Sequence, residues 1–391
     1  TLLMALTYAG YMLLAQQILG GRHKAVAVAA LLFFFNGGLG FLYDFDLAFA
    51  DHFARVKEIF TGYYKTPANQ PDLNLRFSNV IADLMLPQRA LLGGWAMGIP
   101  ALYLLISSVR EKSYRQTALL ALWAAALPLV HTHTFLALAL FSGGCLLGSL
   151  IEHREDRCGI LLRAGLYLAV VLALALPQLV GNAVRQTLEG GALRFQFNWV
   201  NNSGGRGFKD GYFWFWVKNA GLPFILTVCA CLCARKRGNL DIVLGMTAIY
   251  VVAETILFQP NEYDNNKLFY IWFMFAMILA ADYGSMLMQR LAGLPGRALL
   301  CGLFLWASVF SGALSLGREA VSGYQLFSAN AVAAGDWIRE NTDRDDVFLT
   351  GQQHINPVYS LAGRQIVCGS DLYVFFHGLD YSQQSADCRR F

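Results

Sequence analysis

The densest run of chemically useful side chains is Gln259-Pro260-Asn261-Glu262-Tyr263-Asp264-Asn265-Asn266-Lys267. Two acids, three Asn and one Lys stand between two strongly apolar stretches, where a connector needs only a few polar residues. Asn and Asp suit turns, so a plain turn is one reading. The chemical reading is a contact site for a sugar or pyrophosphate, with Lys267 as cation, Asp264 as acceptor, and Glu262 and Asn265 beside them. Glu254, inside the preceding apolar stretch, is an intramembrane acid, costly and therefore a functional candidate.

Three further groups stand out. Asp44-x-Asp46 can share a divalent ion if its backbone is extended, because hard cations collect several oxygens; in a helix the two carboxylates point about 200° apart and cannot. The bland reading is a pair of solvated charges at a helix start. His131-Thr132-His133-Thr134 could bind a metal or a phosphate, although paired His alone lacks a full ligand set, and a hydrogen-bonded polar turn is the alternative. Arg89, after Pro87-Gln88, is placed to meet a phosphate or simply to snorkel at an interface. The stretch 194–207, with Arg194, Phe195, Phe197, Trp199, Asn201 and Asn202, could stack on and hydrogen-bond a carbohydrate, or be a glycine loop leading into the aromatic belt Tyr212 to Trp216.

The elements that hold these residues follow from composition. Of 391 residues 56% are hydrophobic and only 14% charged, against about 25% charged in a soluble domain. That excludes a soluble enzyme, a disordered chain and a disulfide scaffold, and leaves a polytopic helical membrane protein. The net charge of +4 gives no footing for a nucleic-acid partner. Apolar windows fall near 2–19, 24–43, 90–108, 160–180, 213–234, 240–258, 267–288 and 298–316. The run 117–151 carries no charged residue and would be about 52 Å long as one helix, so Pro128 and the His-Thr-His turn are expected to split it in two. That makes about ten spans.

Charge counting orients them. Loops 20–24, 108–117, 152–163, 234–239 and 289–297 hold 13 Lys and Arg in 42 residues. Loops 44–89, 131–134, 181–219 and 259–267 hold 11 in 98. The denser set is expected to be cytoplasmic, which places every candidate site on the extracytoplasmic side.

Phe45, Phe49, Phe53, Val56 and Phe60 line one face of an expected interfacial helix. The chain from 318 onward reads as an incomplete α/β domain: a helix 328–341 with Val332 and Trp337 inward, a strand 347–350, a helix from His354 to Leu361 closed by Gly363, and a strand 365–368. Cys368 and Cys388 could pair; the other cysteines in apolar stretches read as small hydrophobes. The expected division is a helical domain 1–317 and an extracytoplasmic domain 318–391. Because the sequence opens inside an apolar run without Met, it reads as a fragment.

This arrangement resembles the GT-C-type integral-membrane glycosyltransferases, distantly the oligosaccharyltransferases and related mannosyltransferases. Tyr43-Asp44-Phe45-Asp46-Leu47 is similar to their second acidic motif, and Ala333-Ala334-Gly335-Asp336-Trp337-Ile338-Arg339-Glu340-Asn341-Thr342 resembles the start of their post-membrane domain. The resemblance implies a bacterial or archaeal plasma-membrane enzyme that moves a sugar from a polyprenyl-phosphate lipid to an extracytoplasmic acceptor. It implies Asp44 and Asp46 as ligands of Mg2+ or Mn2+, and a carboxylate base among Asp44, Asp46 and Asp264. Arg89, His131, His133, Glu262, Asn265 and Lys267 would contact the substrate. Two departures stand against an oligosaccharyltransferase: the principal catalytic Asp would fall before Thr1, and no Trp-Trp-Asp follows the last span. A transporter or lipid flippase, or a non-catalytic glycolipid-binding paralogue, are the competing classes; protein partners are not legible.

Overall fold

The computed structural model describes residues 1–45, 52–61, 66–184, 193–202, 207–376 and 379–390. They form two compact units: a helical unit of Thr1–Gly181, Phe195–Ile256 and Tyr263–Val321, and a second of Asn182–Arg194, Leu257–Glu262 and Ser322–Phe391.

Among the described residues five helices are long and apolar enough to cross a membrane: Arg89–Arg110, Thr132–Glu152, Arg154–Gly181, Glu262–Arg290 and Arg297–Val321. A sixth span arises if Tyr212–Ala220 and Pro223–Leu232, bent by 118° at their junction, count as one. Several apolar helices could thus span a bilayer of about 30 Å, consistent with a membrane protein. The helix Asn266–Arg290 is buried continuously from Leu268 to Asp282. Its apolar residues face all ways, so only a central position surrounded by other helices satisfies it. Thr132–Glu152 packs against Leu240–Thr255 through a small-residue contact: a Cβ on Gly144 would lie 2.3 Å from the Leu244 carbonyl oxygen. In lipid such contacts replace the hydrophobic effect as the source of helix association.

The run 117–151 divides where expected. Helix Tyr114–Ala126 ends in a turn at Leu127–Leu129 containing Pro128, and the next helix starts at Thr132 with His131 as its cap. Two other windows differ. The stretch 213–234 is not one straight span, because Gly221 takes φ +80° and Pro223 starts a new helix. The window 24–43 is helical only over His23–Phe34, with a single turn at Phe41–Asp44. Between them, Asn36 to Gly40 gives its backbone to other elements. Asn79 Nδ2 donates to the Phe34 and Asn36 carbonyls at 3.1 and 2.7 Å, and Val80 N donates to Asn36 Oδ1 at 2.9 Å. Gly38 has φ +62°, and a Cβ on Gly40 would sit 1.6 Å from the Pro67 carbonyl oxygen. No other residue fits there.

The basic loops are tied to one another. Buried Asp282 pairs with both Arg22 and Arg237, and Asp156 pairs with Arg163 at 2.9 Å and Lys112 at 3.4 Å. Loops assigned to one side by charge density therefore do meet.

Of the expected interfacial helix, His52–Thr61 is helical with Ile59 buried; Phe49 lies outside the described residues. In the second unit, Ala329–Asn341 is capped by Ser328, and Val347–Phe348 pairs in parallel with Gln365–Ile366 across the short helix Pro357–Ser360. Val332 and Trp337 are 43% and 62% exposed, not inward as expected. The helix instead presents Gly335, whose Cα faces the Leu361 side chain, because only the absence of a Cβ lets the two segments close. Cys368 and Cys388 are free thiols, as are the other six cysteines.

Candidate functional site

Lys267 and the two imidazoles, 136 and 134 residues apart in sequence, are carried by neighbouring helices of the helical unit. Lys267 Nζ donates to Asp264 Oδ1 at 2.6 Å, and the pair is partly exposed. Its charges lie near His131, and that of Lys267 also near His133. The His rings are 5.6 Å apart. His131 Nδ1 faces Thr134 Oγ1 at 2.8 Å and accepts from the Thr134 backbone N–H at 3.3 Å, capping the helix that carries His133. Burial, then the neighbouring His133 and Lys267, push His131 down to about 3 against the opposing pull of Asp264. It is therefore a neutral imidazole, offering a ring N–H rather than a charge. His133 Nε2 is buried and has no hydrogen-bond partner among the described residues, whereas buried polar atoms are ordinarily paired.

Asn265 holds this turn in place rather than facing outward. Its Nδ2 donates to the Ala253 and Ile256 carbonyls at 2.9 and 2.8 Å. Glu262 belongs to the second unit, where it pairs with Arg194 at 3.3 Å.

Tyr263 connects the turn to a second polar network. Arg76 stacks over its ring at 5.4 Å and donates to Asn74 Oδ1 at 3.2 Å. Asn74 Nδ2 donates to Asn201 Oδ1 and Asp210 Oδ2, both at 2.8 Å. Lys218, 2% exposed, donates to the Leu73 carbonyl at 2.8 Å and to Asp210 Oδ2. Asn219 Oδ1 accepts from the backbone N–H groups of Arg76 and Phe77 at 2.6 and 3.0 Å. Residues 73–77 are thus clamped onto Asn201, Asp210, Lys218 and Asn219 beside Tyr263. Of these residues only Asn201 and Tyr263 drew attention in the sequence; Asn74, Arg76, Asp210 and Asn219 look like ordinary loop polarity, and only pairing across more than a hundred residues distinguishes them.

Asp44 is buried at the end of a helical turn, and Gln70 Nε2 donates to both its carboxylate oxygens at 2.9 Å. Asp46 lies outside the described residues. A divalent ion needs several acceptors; here a buried carboxylate is met by an amide donor, and among the described residues no three His, Cys, Asp or Glu converge. The expected Asp44–Asp46 pair thus lies only half within the described residues. Arg89 is exposed at the start of its helix. Glu254 is buried, with the Tyr212 hydroxyl beside its carboxylate.

Asp83, in the turn Ile81–Met85, is a titrating group outside the long helices. Burial, reinforced by Glu319, raises its carboxyl to about 7. A raised acid pKa means the folded protein keeps a proton that the unfolded chain releases. Stability from this group is full near pH 4 and is lost as pH rises to about 7. The melting temperature of Asp83→Asn in detergent should therefore exceed that of wild type by a margin that grows from pH 4 to pH 7 and then levels. A margin independent of pH would show that Asp83 titrates normally.

No protein-family model matches the chain, and no curated protein matches it.

Proposed function

We propose that this is a membrane glycosyltransferase of GT-C type that moves a sugar from a polyprenyl-phosphate donor to an acceptor at the extracytoplasmic face. In this reading about ten helices cross the membrane, the bent pair included, and residues from 318 form an extracytoplasmic α/β domain. The observation that carries it is a Lys–Asp pair at the turn 263–267 whose charges reach two buried imidazoles on the neighbouring helix.

The chemistry follows from the groups. Lys267 binds a donor phosphate oxygen and takes up the negative charge that grows as the anomeric C–O bond to phosphate breaks. Asp264, displaced from Lys267 by that phosphate, accepts the proton of the acceptor hydroxyl while its oxygen bonds to the anomeric carbon. His131 and His133, neutral, hydrogen-bond sugar hydroxyls. Tyr263, held under Arg76, offers a ring face beside them.

The direct test is the full-length protein in proteoliposomes with labelled polyprenyl-phosphate sugars and a panel of hydroxyl acceptors. Label moving into a new glycoside supports transfer. Label crossing the bilayer while still lipid-linked identifies a flippase. Orientation is tested separately by single cysteines at Phe208 and Lys236 in a protein with its native cysteines replaced. An impermeant maleimide on intact cells should label Phe208→Cys and spare Lys236→Cys; the reverse pattern would move the site to the cytoplasm.

A further inference from the structure

A cavity of about 810 Å3 lies in the helical unit at the basic loops, away from every residue assigned above. Its size is that of a small-ligand site, about 300–1,000 Å3. The walls are aliphatic and aromatic: Ala281 on Asn266–Arg290, Leu300 and Phe304 on Arg297–Val321. Polarity gathers at one rim, where Arg22, His23 and Lys24 are exposed. Arg22 is engaged by Asp282, whereas Lys24 forms no ion pair among the described residues. These residues open the helix His23–Phe34, whose first N–H groups have no side-chain cap. Free amides and a helix dipole at that point favour an anion.

An apolar chamber with a cationic rim is complementary to one kind of molecule. We infer that this cavity is a binding site for an anionic glycerophospholipid, its acyl chain along Ala281, Leu300 and Phe304 and its phosphate at Lys24 and the first amides of the His23–Phe34 helix. Basic pockets between membrane helices commonly take such head groups. A zwitterionic lipid has the same chain and phosphate but adds a quaternary ammonium that Lys24 and Arg22 repel. The site is independent of sugar transfer.

The test uses full-length protein in neutral detergent, with native mass spectrometry of phosphatidylglycerol and phosphatidylcholine of identical acyl chains. Phosphatidylglycerol should stay bound through delipidation and phosphatidylcholine should not. Lys24→Gln should weaken retention about fivefold, the worth of one basic residue near an anionic head group. Leu300→Trp, on an exposed helix face and so tolerant of folding, should weaken it by filling the chamber, as should Ser285→Phe. Millimolar inorganic phosphate should leave the lipid bound. Equal retention of both lipids overturns the proposal. So does displacement by phosphate, and so does a loss in Lys24→Gln with full retention in both cavity variants, which would be surface attraction only.

Discussion

Lys267→Gln should weaken binding of the polyprenyl-phosphate donor by roughly ten- to a hundredfold while the protein melts close to wild type. A charge-assisted hydrogen bond to phosphate contributes about 1.5–3 kcal/mol, and about 1.4 kcal/mol is a factor of ten. The Lys267–Asp264 pair is partly buried, 16% and 21% exposed at its side chains, and glutamine can still donate to Asp264. The loss in folding stability should therefore be about 1 kcal/mol, the upper end for an exposed pair and short of a buried one. Asp264→Asn should separate the two roles. It keeps a residue of the same size beside Lys267 and removes the base, so kcat should fall with donor affinity retained. Lys267→Arg should restore much of the binding. Unchanged donor affinity in Lys267→Gln, measured on the full-length protein, would return the segment to an ordinary turn.

The second large effect concerns Asp210. Lys218 is almost wholly buried, and Asp210 is its only carboxylate among the described residues. Asp210→Asn leaves an ammonium inside the protein with carbonyl and aromatic neighbours but no counter-charge. Breaking a buried pair in this way costs about 3–5 kcal/mol; Asp210 is 23% exposed at its side chain, which favours the lower end. The variant should melt well below wild type. Asp210→Asn combined with Lys218→Met should recover part of the loss, because removing both charges also removes the desolvation cost. Additive losses in the double variant would show that the two side chains do not act as a pair.

Much of the helical unit was legible because apolar length is local information. The break at Pro128 showed as a proline and four polar residues inside an uncharged run. The junction at Gly221 did not show, since hydropathy averages over direction and Leu222 and Pro223 keep the window apolar. The same averaging hid Asn36 to Gly40, where the flanking Phe33 to Phe35 and Phe41 masked a segment that packs through its backbone. In the tail, Val332 and Trp337 are the large apolar residues of their helix, but they lie about 140° apart around it, and the small residue Gly335 decides which face closes. The site was readable as islands. His131 and Lys267 each stood out against apolar surroundings, whereas their nearness depends on how two helices dock, which periodicity does not encode. Asn74, Arg76 and Asp210 were invisible for the related reason that polar residues in polar loops carry no contrast.

The Asn36 to Gly40 segment has a further consequence, in time rather than in space. Its contacts reach residues near 67, 79, 219 and 312, so no local fraying can release one without the others. Local openings span free energies from near zero up to that of global unfolding. Amides such as Leu39 N, which donates to the Lys218 carbonyl at 2.8 Å, belong at the slow end of that range. Their deuterium uptake should report complete loss of the helical unit, on a clock quite separate from that of surface turns such as Gly20-Gly21.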